Sequence, residues 1–150
     1  MKKFILGLFL ILGAISFAAP KFVDMAKVKN AGYIIKNERE DILTMAISDD
    51  DSAIIISFST ANISSKEISD LLKSNALRNS ENFIATLDNN RAYVNEFEAQ
   101  GFYSYIIVPK KEKVKNKHTY ATYVSSKKLS KNDLSKITNA ILDEAESYIK

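Results

Sequence analysis

Residues 91–108 read RAYVNEFEAQGFYSYIIV, two strand-like runs separated by Ala99, Gln100 and Gly101. Short runs rich in Tyr, Phe, Val and Ile favour strands. In the second run Phe102, Ser104, Ile106 and Val108 alternate with Tyr103, Tyr105 and Ile107. So short a connection joins antiparallel neighbours, because a parallel crossover needs a dozen or more residues.

The flanking segments extend the pattern. Asp88, Asn89 and Asn90 are turn residues, preceded by a short strand at 83–87. Downstream, 110–117 is a charged loop and 118–125 a strand with Tyr120, Thr122 and Val124 on one face. Three more strands come earlier. The first starts at 33–35 and is turned by the polar run 37–41; the second spans 42–48; the third spans 52–60, after the turn Asp49-Asp50-Asp51. The run 53–56 is apolar on both faces, which predicts a central strand covered on both sides.

Two helices complete the order. Ser64 and Glu67 have capping-box spacing and open a helix with Ile68, Leu71, Leu72 and Ala76 on one face. Ser130 and Asp133 start the last helix, where Leu134, Ile137, Ile141, Ala145 and Tyr148 recur at helical spacing. The order β-β-β-α-β-β-β-β-α predicts an α+β fold: a mainly antiparallel sheet of six to seven strands with two packed helices. Residues 32–150 form this single domain. Residues 19–31 are a lead-in, in which Phe22, Met25 and Ala26 suit one stripe of a short helix.

The N-terminus predicts export. Met1, Lys2 and Lys3 are followed by an uncharged run, 4–15, too short to span a membrane. Ser16 and Ala18 then supply the small residues that signal peptidase requires, so cleavage after Ala18 is expected. Residues 1–18 thus read as a signal peptide, and the mature chain is periplasmic or secreted, with no transmembrane segment. Two of the chain's 21 basic residues lie in the leader, leaving 19 against 18 acidic ones. That balance argues against a nucleic-acid partner. There is no cysteine, so the fold rests on its core without disulfides.

The element order, with Gly32-Tyr33 opening the first strand and 93–97 reading YVNEF on a turn-bounded strand, resembles the PsbP-like fold. The resemblance spans 32–149. The family's aromatic-Pro segment after the first strand is missing, and 37–41 stands in its place. What the resemblance implies is a protein that binds or assists other proteins, with no active site to carry over.

Individual residues point the same way. His118 is the only histidine, and a half-exposed place at a strand start is its expected setting. Ser125 and Lys128 have Ser-x-x-Lys spacing but lack the motifs that accompany it in penicillin-binding enzymes. The aspartates at 49–51 lack calcium-loop spacing. Glu96 and Glu98 share a strand face and read as a solvent-facing pair. Two surfaces remain as candidate binding sites. One is a tyrosine-bearing sheet face drawn from Tyr93, Tyr103, Tyr105, Tyr120 and Tyr123. The other is the loop with Lys110, Lys111, Lys113, Lys115 and Lys117. Lys127, Lys128 and Lys131 belong to the opposite end of the same hairpin. The expectation is a non-enzymatic binding or accessory protein of the cell envelope, needing no cofactor, whose partner is a protein or envelope component. A cell-envelope hydrolase is the competing reading.

Overall fold

The computed structural model describes residues 18–150. Apart from Ala18, the leader lies outside them. Seven strands form one antiparallel sheet: β1 (Ile34–Arg39), β2 (Ile42–Ser48), β3 (Ser52–Thr60), β4 (Asn82–Leu87), β5 (Ala92–Ala99), β6 (Phe102–Pro109) and β7 (Lys117–Ser125). Their order is β1-β2-β3-β7-β6-β5-β4. The helices are α1 (Met25–Asn30), α2 (Ser65–Arg78) and α3 (Lys131–Ser147). The α+β class and antiparallel sheet agree with the sequence. The β5–β6 turn has Gln100 at φ 53° and Gly101 at φ 82°. Two successive positive φ values suit the twist of a tight hairpin.

Alternation along the strands divides the core. On one face Met45, Ile56, Val94, Tyr105 and Ile107 pack with Leu134, Ile141, Leu142 and Ala145 of α3. Val28 of α1 joins this cluster, and Val23 pairs with Ile149, so the lead-in is part of the core. On the other face Phe97, Ile106 and Val108 pack with Ile68 and Ala76 of α2.

Several expectations need correction. β1 runs on through Asn37, Glu38 and Arg39, which pair with Thr44, Leu43 and Ile42. An edge strand tolerates polar residues because one of its sides faces water. Leu71 is 55% exposed, because α2 turns Ile68, Ser69 and Ala76 inward instead. β3 lies inside the sheet as expected, and both its faces are covered: Ile56 and Phe58 are buried on the α3 side, Ala53 and Ser57 on the other, where Ile55 is half-buried.

The two sheet edges differ in chemistry. β1 carries Lys36, Glu38 and Arg39. β4 reads NFIATL and carries no charge. Asn82, Phe83, Ile84 and Thr86 are exposed along it.

Candidate functional site

The β4–β5 connection is held by Asn89, whose Oδ1 accepts from the Arg91 and Ala92 amides at 2.8 and 3.0 Å. Lys110 Nζ donates to the Asn89 carbonyl at 2.6 Å. Arg91 reaches across to α3, 2.8 Å from Asp143 and 3.5 Å from Glu146. These contacts pin the hairpin turn to one side of the helix. The turn was legible as Asp88-Asn89-Asn90; its docking on α3 was not.

Between that turn and the first half of α3 lies a cleft of about 320 Å³. Leu87, Val94 and Leu134 give it an apolar lining. Asp88, Lys131 and Ser135 supply polar walls. A more open hollow of about 430 Å³ continues past Asn90 and Asn139. Thr138 also lines the cleft and is fully buried, and its Oγ1, like that of Thr119 on β7, has no hydrogen-bond partner among the described residues. A buried hydroxyl left unpaired costs free energy, so each such group calls for an explanation. Sequence reading missed this position because Thr138 falls between Leu134 and Ile141 on the apolar side of α3.

Glu96 and His118 are more buried than expected. Glu96 is 3% exposed and lies opposite Tyr105, whose hydroxyl donates to Glu96 Oε1 at 3.2 Å. Lys128 Nζ stands 3.7 Å from the same oxygen. Glu96 points to the α3 side of the sheet, which is why it is not the solvent-facing residue that alternation alone suggested. His118 is 2% exposed. Its Nε2 lies 3.0 Å from the Ala61 carbonyl and its Nδ1 3.5 Å from Glu112 Oε1. The 110–117 loop folds back over the strand start and encloses the ring. Beside it, a hollow of about 20 Å³ has room for one water molecule.

The candidate tyrosines do not share a face. Tyr103, Tyr105 and Tyr123 lie on the α3 side, with the Tyr105 and Tyr123 ring centroids 6.4 Å apart. Tyr93 and Tyr120 lie on the α2 side. Tyr105 is fully buried, and its hydroxyl also accepts from the Leu129 amide at 2.9 Å. Burial pushes the Tyr105 phenol up to about 12. Burial likewise raises Tyr120, whose hydroxyl hydrogen-bonds Ser57 and Ser59. Tyr93 lies beneath two ammonium groups, Lys66 and Lys110.

Three of the five loop lysines are engaged within the fold. Lys110 holds Asn89, as described. Lys113 Nζ donates to the Glu146 carbonyl at 2.8 Å and the Ile149 carbonyl at 3.3 Å, at the C-terminal end of α3 where cations are favoured. Lys117 donates to Thr60 Oγ1 at 3.2 Å and lies over the Phe22 ring. Lys111 and Lys115 project into solvent. Lys128 sits at the far end of the β6–β7 hairpin, beside Glu96.

The turn at 49–51 is an Asx turn. Asp49 Oδ1 accepts from the Asp51 and Ser52 amides at 2.9 and 2.7 Å, and these bonds hold its carboxyl below the usual range. Among the described residues, no group of three or more His, Cys, Asp and Glu could hold a metal ion. No described helix is long and apolar enough to cross a membrane.

No family model, curated protein or solved structure matches the chain.

Proposed function

We propose that the chain is an exported, non-enzymatic binding module of the cell envelope, and that its ligand enters the cleft between the β4–β5 turn and α3. One observation carries this reading: a cleft of about 320 Å³ whose lining joins apolar Leu87, Val94 and Leu134 with polar Asp88, Lys131 and Ser135. Binding clefts combine apolar lining with a few polar groups that orient a ligand, and this volume lies within their usual range.

Two further observations favour binding over catalysis. His118 faces Ala61 and Glu112 in a closed site, and Glu96 is engaged by Tyr105 and Lys128. A general acid or base must instead reach its substrate. The leader at 1–18 supports export, and the element order supports a PsbP-like accessory role.

The test is a chemical-shift map of the mature chain titrated with a solubilised envelope fraction. Saturable shifts confined to 86–91 and 131–139 are expected. Shifts centred on the 110–117 loop, an unchanged spectrum, or turnover of an envelope substrate abolished by His118→Ala would overturn the reading.

A further inference from the structure

We infer that the cleft receives an extended peptide segment of a partner protein, which pairs with β4 as an eighth strand. The inference rests on the cleft reading above and adds the chemistry of the occupant.

Among the described residues, β4 is the last strand of the sheet and pairs only with β5. One row of its backbone N–H and C=O groups therefore has no strand partner. A matching row of donors and acceptors at strand spacing is what another peptide backbone supplies. Exposed edges are ordinarily guarded by charge or proline. The opposite edge follows that rule with Lys36, Glu38 and Arg39. β4 itself has neither charge nor proline, but Lys73 of α2 caps the Phe83 ring, its Nζ 3.6 Å from the ring centroid, so the unguarded stretch runs from Ile84, 39% exposed, to Leu87. Its register slips between Phe83 and Ala85, which leaves Thr86 and Leu87 as the regular pairing segment at the cleft.

The cleft lies between this end of β4 and the flank of α3. A strand added beside β4 would point every second side chain toward the helix, by the two-residue period. Those side chains would meet Leu87 and Leu134, with Ser135 and Thr138 beyond them. Asp88 and Lys131 stand at the same cleft with opposite charge, so neither an acidic nor a basic peptide is favoured. The matching segment is therefore an uncharged peptide with small apolar side chains at alternate positions. A carbohydrate would suit the polar walls but would leave the β4 edge unused.

A displayed library of random twelve-residue peptides, selected on the mature chain, provides the probe. Enriched peptides should slow amide exchange across β4 by about tenfold or more, as new strand pairing does. Proline at alternate peptide positions should weaken binding about tenfold or more, because proline donates no hydrogen bond. Ile84→Lys should weaken it comparably by placing a charge on the edge. Ile84 is exposed, so the variant should keep the parent Tm.

A peptide that binds without protecting β4, or that binds Ile84→Lys equally well, would overturn strand addition. So would a library that yields no binder. If the envelope fraction shifts the cleft signals while β4 exchange stays unchanged, the cleft is a binding site for another kind of ligand and only the inference fails. Concentration-dependent dimerisation abolished by Ile84→Lys would make a second copy of the chain the occupant and overturn the foreign peptide.

Discussion

Tyr105 and Glu96 lie directly opposite one another on neighbouring strands, and the phenol donates to the buried carboxylate over 3.2 Å. The same hydroxyl accepts from the Leu129 amide, so one side chain ties β5, β6 and the approach to α3 together. Tyr105→Phe leaves that amide and Glu96 short of a partner. A loss of about 1–3 kcal/mol is expected, as for other buried groups stripped of a hydrogen bond. Urea unfolding of both proteins at neutral pH measures it.

Alkaline pH tests the same contact. The Tyr105 phenol titrates near 10 when unfolded and about 12 when folded. A raised pKa means the fold prefers the neutral phenol. Its contribution is complete below pH 10 and is lost between about 10 and 12. Stability should fall across that window, and less steeply in Tyr105→Phe. An equal slope in both proteins would contradict the assignment.

Thr138→Val should stabilise the free protein by about 1 kcal/mol, because it replaces a buried unpaired hydroxyl with a methyl group of similar size. Thermal melts of the two proteins check this, and a lower Tm for Thr138→Val would contradict it.

Ile141 is 2% exposed and packs in the main core. Ile141→Ala should cost about 2–5 kcal/mol, within the range for buried isoleucine truncations. A change below about 0.5 kcal/mol is typical of surface sites and would place this face of α3 outside the core.

The exported protein should begin at Ala19, since Ser16 and Ala18 present the small side chains needed for cleavage. Intact-mass measurement checks this, and retention of Met1 would contradict it.

Much of the sheet was legible because local chemistry and final pairing agree there. Gln100-Gly101 turns β5 into β6, and Ser64 with Glu67 caps α2, both as the residues require. What failed depends on distant neighbours. Nothing local to Glu96 reveals that Tyr105 and Lys128 will enclose it, or that Glu112 will close over His118. Leu71 looks like a core residue on its helix alone, yet α2 is rotated by what it meets on β5 and β6. The cleft escaped for the same reason: its turn and its helix are some forty residues apart, joined through Arg91, Asp143 and Glu146.

The contact between Val23 and Ile149 has a consequence for timing. Asp24 donates to the Tyr148 carbonyl at 2.7 Å and Lys150 to the Phe22 carbonyl at 2.9 Å, so the two ends of the domain clasp each other. Contacts between residues so far apart along the chain are slow to form, because the whole intervening loop must first be closed. No partial length of the chain can make this clasp. The clasp therefore closes last, as a seam drawn over whatever part of the sheet has already formed.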